Sequence, residues 1–340
     1  VIPVALTVTF ALLTTPQPVE VKDVSPTQDH LRAAVQKALP VLWKGVEGHS
    51  AKRTCFTCHH HAVPLLAITT VNRHGFPADK AKLAEQAAFI TAHFDGMKER
   101  LEKGNGPGPG PVGGGVDNTG YALFALDLLG EQPTTTTAAI AHYTLGADDK
   151  RNFWPARGNR PPSEASDITT TALAVRGLSK YRPQGKDEAV KVRVNAARQW
   201  LLTVKPKDTE DRVFRLLGLH AAGASTEEVK AAAKQLLDIQ EEDGGWAQND
   251  LRFSDAYATG SALFALHTAG GVNSKDPAFV RGLRFLLGTQ LDDGTWHVRT
   301  RSRPVQVYFE SGFPHGKDQF ISCAATGWAT AALALACEPK

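Results

Sequence analysis

The 340-residue chain is predicted to be all-α, a single α/α toroid in which six helical hairpins close into an inner and an outer ring. Three observations predict it. One apolar segment type recurs six times along the chain. Charged segments with the helical spacing of apolar residues alternate with it. No long alternation of β-branched residues appears that would mark strands.

The recurring segment opens on a polar or small residue, runs through Thr, Gly and Ala, and then turns apolar. Clear copies are VDNTGYALFALDLLG from Val116, SDITTTALAVRGLSKY from Ser166, SDAYATGSALFALHTAG from Ser254 and ISCAATGWATAALALA from Ile321. Weaker copies start at Cys58 and Glu210. The equivalent positions Cys58, Asp117, Asp167, Asp211, Asp255 and Cys323 are 59, 50, 44, 44 and 68 residues apart, the spacing of a two-helix repeat. Asp or Ser at such a start suits an N-cap, because its oxygen accepts from the free N–H groups of the first turn. These segments are apolar nearly all round, so they form the inner ring. Gly120, Gly260, Ala324 and Gly327 let neighbouring backbones approach closely. The segments 29–43, 79–101, 134–145, 187–204, 227–240 and 277–290 carry charge on one face and form the outer ring.

Ahead of the first hairpin, the apolar run 1–13 is too short to span a bilayer and suits the core of a signal peptide. Residues 1–19 therefore read as a partial signal peptide, 20–28 as a linker and 29–340 as the toroid. A periplasmic or secreted protein is expected, with no stable membrane span once the signal is removed. The formal net charge is +3 and no Lys/Arg block stands out, so no nucleic-acid partner is implied. Four cysteines are too few for a disulfide framework. Cys323 and Cys337 are about 21 Å apart along a helix and cannot pair with each other.

Two joints have a sharper signature. KQLLDIQEEDGGW, ending at Trp246, and RGLRFLLGTQLDDGTW, ending at Trp296, each close an outer helix on Gln, turn through acidic residues and Gly, and finish on Trp. The Gln amide can satisfy orphan groups at helix ends, and the indole can stack over it. A degenerate copy ends at Trp154. These joints resemble the QW repeat of the squalene–hopene cyclase and protein prenyltransferase superfamily, over residues 30–340. The resemblance implies a toroid that works at its central cavity. The chain also looks like a bacterial branch of toroid proteins with a C-x-x-C-H motif near the N-terminus.

That motif is Cys55-Phe56-Thr57-Cys58-His59, followed by His60 and His61. The spacing is that of covalent c-type haem attachment, with two thiols on one porphyrin and the next histidine on the iron. A zinc site from Cys55, Cys58 and a histidine, or a plain thiol pair, are the alternatives. In the insertion 297–320, Arg299 and Arg301 could meet haem propionates. His315 is the candidate sixth ligand of the iron, and His297 a further candidate. The Gly/Pro-rich loop 102–115 is a spacer or lid.

Within the resemblance, Asp117 in Gly115-Val116-Asp117-Asn118 stands where cyclases carry D-x-D-D. Only the central carboxylate is retained, which makes Asp117 the candidate catalytic acid and puts alkene protonation in doubt. Aromatic residues form only 8% of the chain, which speaks against a cavity that stabilises carbocations. The expected function is an exported haem c protein for electron transfer or haem-based redox chemistry, meeting a redox partner or a small-molecule ligand in the toroid cavity. The alternative is a non-haem toroid, either a binding module or a degenerate terpene-cyclase-like enzyme, whose Cys/His motif is structural or binds zinc.

Overall fold

The computed structural model describes residues 19–108 and 114–338. The signal-peptide reading of 1–19, all but its last residue, and the centre of the Gly/Pro loop lie outside the described residues. Helices alternate outer and inner along the chain. α1 (Gln28–Ser50) leads to α2 (Val63–Arg73), which a π-turn at Cys58–Ala62 precedes. α3 (Lys80–Asp95) and the short α4 (Lys98–Glu102) lead to α5 (Val116–Leu128). The remaining pairs are α6 (Thr135–Gly146) with α7 (Asp167–Lys180), and α8 (Asp187–Thr203) with α9 (Thr209–Ala221). They are followed by α10 (Thr226–Leu237) with α11 (Ala256–Thr268), and α12 (Pro277–Thr289) with α13 (Gln319–Leu335). The inner helices pack in the order α2, α5, α7, α9, α11, α13, and α13 returns to α2, so the ring is closed. The fold is the all-α toroid of six hairpins. The predicted outer segment 79–101 is two helices, because the chain breaks at Gly96 and Met97.

The repeat has a physical basis visible at three joints. The indoles of Trp154, Trp246 and Trp296 donate to the carbonyls of Thr144, Leu236 and Leu286 at 2.7, 2.8 and 2.8 Å, each near the end of the preceding outer helix. Their backbone N–H groups donate to the hydroxyls of Thr171, Thr259 and Thr326 on the following inner helices. Each Trp therefore ties an outer helix end to the next inner helix, which explains the Thr that recurs in the inner segments. Gln240 and Gln290 complete two joints. Each amide donates to the Gly of its own turn and to a carbonyl near the start of the adjoining outer helix, Ala278 for Gln240 and Ala34 for Gln290.

The joint at Trp154 lacks that Gln, and Arg193 of α8 takes its place. Its guanidinium donates to the carbonyls of Ala147, Asp148 and Arg151 and lies 4.1 Å from the centre of the Trp154 ring. Arg193→Ala leaves these carbonyls without their donor and removes a buried cation–π contact. A loss of about 3 kcal/mol is expected by urea denaturation, with Arg193→Lys recovering only part of it because Lys has no planar fork.

Candidate active site at the mouth of the toroid

All six inner helices start at the same end, so their N-termini surround one mouth. Thr57, Ser166, Asp208 and Asp255 cap α2's leading turn, α7, α9 and α11 through their side-chain oxygens. Asp117 and Asp167 lie one residue or more inside their helices and face the connecting chain instead. Asp117 accepts from the N–H of Gly115 at 2.6 Å and of Gly158 at 2.9 Å, and Asp167 accepts from Ala156.

Two segments roof the mouth. One is the insertion 297–320. The other, 155–166, was not singled out in the sequence. Its backbone pairs Arg160 with Glu164 in both directions, and the two side chains form an ion pair. Ser302 of the insertion donates to the Pro161 carbonyl at 2.8 Å, joining the two segments. Beneath them lies a cavity of about 390 Å³. Pro162, Pro304, Val305, Phe320 and Ile321 give it an apolar wall, Cys58, His59 and Glu164 lie at its inner side, and Arg303 and Lys317 are exposed side chains on its lining.

Cys58 and His59 are built into this wall. The Cys58 thiol donates to Glu164 at 3.3 Å and lies 3.5 Å from Ser163 and from His59 Nδ1. Burial first, and the Glu164 carboxylate second, push the thiol well above its ordinary range. Cys55 lies elsewhere, half-buried, with its sulfur 3.8 Å from His49 Nε2. His49, His59, His60 and His61 pack together with ring centroids 4.9 to 6.4 Å apart. Burial lowers all four, His49 to about 4, so each ring is neutral at pH 7. Among the described residues, no group of three or more His, Cys, Asp or Glu side chains is placed to hold a metal ion. The predicted zinc site from Cys55, Cys58 and a histidine therefore does not fit. A thiol titration of the folded protein at pH 8 should show Cys55 reacting first, with Cys58 and Cys323 reacting only on denaturation, because both are fully buried. A second fast thiol at Cys58 would mean that the mouth is open.

The other predicted ligands do not join them. His315 receives or donates a bond at Thr295 (2.8 Å) and stacks on His297 at 4.7 Å, outside the cavity lining. His297 itself pairs with Asp318. Arg301 binds Gln248 at 2.8 Å and reaches Asp208 at 3.4 Å, fastening the insertion to the start of α9. Arg299 is exposed. The structure thus keeps Cys58 and His59 at the cavity and sends His315, Arg299 and Arg301 to other parts of the same end.

Below the cavity the lumen holds residues that sequence reasoning missed. Tyr121 of α5, Glu210 of α9 and Tyr257 of α11 are buried on three inner helices, and the Tyr121 hydroxyl donates to the carbonyl of Ser163 in the cavity wall at 3.4 Å. Glu210 is 3% exposed. Burial, and then the neighbouring Asp208, raise its carboxyl to about 8, so it is neutral at pH 7. Further along, Tyr121, Phe214, Trp328 and Phe264 form a chain of edge-on and tilted rings with centroids 5.4 to 6.4 Å apart. These rings lead to a second cavity of about 260 Å³ at the opposite end of the barrel. Five of the aromatic residues, Tyr121, Phe214, Tyr257, Phe264 and Trp328, are buried on inner helices. The signal that could have found two of them was the shared register of Tyr121 and Trp328, each of which directly follows a Thr-Gly pair in its repeated segment.

Known proteins share this architecture. The family model described as squalene–hopene cyclase C-terminal domain matches residues 211–320. Squalene–hopene cyclase of Bradyrhizobium diazoefficiens is 32% identical over 126 residues, 31% of this chain and 18% of its own length. Drimenyl diphosphate synthase of Streptantibioticus cattleyicolor is 28% identical over 221 residues, 58% of this chain and 38% of its own. The matched region thus spans well under half of either relative. The type II terpene cyclase MstE from Scytonema superposes with a TM-score of 0.57 at 14% identity, covering 92% of this chain and 99% of its own. A variant of it in complex with geranylgeranyl dihydroxybenzoate, its substrate, superposes at 0.58.

These matches overturn the redox expectation. The matched relatives are squalene–hopene cyclase and drimenyl diphosphate synthase, so the haem-bearing electron carrier gives way to the cyclase-like alternative. The Cys55–His59 motif lies outside the matched residues 211–320, and Cys58 and His59 are engaged in the wall of the cavity. This chain has the α/α toroid fold of type II terpene cyclases.

Proposed function

We propose that the toroid is a cyclase-like enzyme acting on an isoprenoid, which enters through the mouth cavity and lies along the lumen. The observation that carries this reading is the run of aromatic rings from Tyr121 to Phe264, three of which line the cavity at the far end of the barrel. A ring π-face attracts a cation within about 6 Å of its centroid, more strongly once water is excluded, so such a run favours a carbocation over its neutral precursor. Arg303 and Lys317 on the cavity lining suit an anionic head group, and the positive ends of six inner helices add to the same field. The apolar run 1–13 supports a periplasmic or secreted location.

The test is binding followed by product analysis. Geranylgeranyl diphosphate, geranylgeraniol and squalene are titrated against the intrinsic tryptophan fluorescence. Extracts of the incubations are then read by mass spectrometry for cyclic isomers. Trp328→Ala is expected to reduce cyclic product more than it weakens binding. Absence of binding by all three probes would sink the isoprenoid reading.

A further inference from the structure

We propose that the cavity at the far end of the barrel is a second binding site, which takes a medium-chain carboxylate with its head at the rim and its chain on the aromatic floor. The site goes beyond the isoprenoid reading and does not need it, because the far cavity of about 260 Å³ and the mouth cavity share no lining residue. All six inner helices line the far cavity, through Thr70, Phe124, Arg176, Phe214, Phe264 and Trp328, so it lies inside the ring. On α13 the mouth cavity meets Ile321 and Ala324, whereas the far cavity meets Trp328 and Leu335. The helix rises about 10 Å from Trp328 to Leu335, which sets the depth of the far cavity along the barrel. An extended carbon chain advances about 1.25 Å per bond, so roughly eight or nine carbons reach from rim to floor.

Floor and rim differ in chemistry. Phe124, Phe214, Phe264 and Trp328 are buried and present an apolar floor. Nearer the rim, three polar side chains on the lining have donors to spare. Thr70 is 4% exposed, and its hydroxyl makes no hydrogen bond among the described residues, although Thr69 beside it donates to the Leu65 and Leu66 carbonyls. Arg176 gives one N–H to Asp127 at 2.9 Å, but its Nε is buried and unpartnered. Arg73, the last residue of α2, is exposed and forms no ion pair among the described residues. Asp127 is already shared between Arg176 and Lys180, so the rim carries a surplus of positive charge.

The inner helices end here, and cations offset the partial negative charge of helix C-termini. Arginines that serve helix ends in this fold bond the carbonyls directly, as Arg215 does at Leu201 and Leu202 at 2.6 and 2.8 Å. Arg73 and Arg176 donate to no carbonyl among the described residues, which leaves their N–H groups for an anion. A planar guanidinium matches the two oxygens of a carboxylate, and the Thr70 hydroxyl supplies a further donor. The apolar floor has no partner for a second charge, which selects a monoanion with an apolar tail.

The experiment measures binding of decanoate, decanol and decyltrimethylammonium to the full chain by calorimetry. Decanoate is expected to bind one per chain, about tenfold more tightly than either control. Decanoate brominated at its terminal carbon should quench tryptophan fluorescence, and Trp328→Phe should lose most of the quench while still binding. Arg73→Gln should weaken decanoate about fivefold and leave decanol unchanged, the scale of an ion pair open to solvent. Ala221 is partly exposed on the cavity lining, and Ala221→Trp should fill the cavity and abolish decanoate binding. No binding of decanoate, equal affinity for decanol, tighter binding of decyltrimethylammonium, or a quench that survives Trp328→Phe would each overturn the proposal. The isoprenoid reading is tested separately by its own three probes, so either can fail without the other.

Discussion

Replacing Gly260 by valine is expected to unfold the toroid or cost it well over 3 kcal/mol. Gly260 lies in α11 where this helix touches α13. A Cβ at this position would stand 2.5 Å from the backbone N of Ala329 and 2.6 Å from the carbonyl carbon of Trp328. No rotamer relieves that clash, because the atoms are main chain. The two helices must separate, and α13 cannot move freely because its other side is pressed onto α2. A Cβ at Gly327 would meet the Val63 carbonyl oxygen at 3.0 Å. Overpacking ordinarily costs about 1–3 kcal/mol, and here it is imposed on backbone from both sides. For a domain of this size the fall in Tm is on the order of 10 °C. Gly146→Ala is the control. Nothing lies within 4 Å of its Cβ, at the last residue of α6, and it should be nearly neutral. If Gly260→Val kept the wild-type Tm, the close approach of α11 and α13 would be wrong.

The same contacts show why the ring was legible. Inner helices are recognised by small residues at the seams and by Thr at the joints, and both are constraints that the fold places on residue type. The outer helices carry the ordinary amphipathic signal. Legibility failed where a residue's role depended on another part of the chain. Gly48 reads as a helix breaker, yet α1 continues through it to Ser50, because the insertion's Ser311 carbonyl packs against the bare Cα. The Trp154 joint lacks its Gln because Arg193, from the next hairpin, supplies the donors. Aromatic content is a sum over the chain and carries no position, so it could not reveal that Tyr121, Phe214, Tyr257 and Trp328 share the lumen. Cys55 and Cys58 sit three residues apart, and the spacing alone suggested a shared ligand. The structure instead sends one sulfur towards His49 and the other to Glu164. Glu210 was read past in favour of Asp211, whose carboxylate accepts from Ser166 at 2.5 Å and from the N–H of Lys207 at 2.8 Å.

Glu210 also makes stability depend on pH, with a sign that follows from its burial. Its carboxyl is raised from 4.5 to about 8 in the folded protein. Between these values the folded state holds a proton that the unfolded state has released. Stability therefore falls as pH rises through this window, and the penalty is complete above pH 8. A rise of this size corresponds to roughly 5 kcal/mol. The groups that set it come from several elements. Asp208 and Asp211 on α9 and its cap raise the carboxyl, and Tyr257 on α11 and Arg301 on the insertion lower it. Glu210→Gln keeps the shape and never ionises. At pH 5 it is expected to be about 1 kcal/mol less stable than wild type, because an amide is left where a carboxyl fitted. Near pH 8.5 it should be several kcal/mol more stable, so the two stability curves cross as pH rises. Other titrating groups are common to both proteins and cancel in the difference. Urea denaturation at each pH measures it. A difference that stays flat from pH 5 to 8.5 would show that Glu210 is solvated and ionised in the folded protein, and its burial would fail with it.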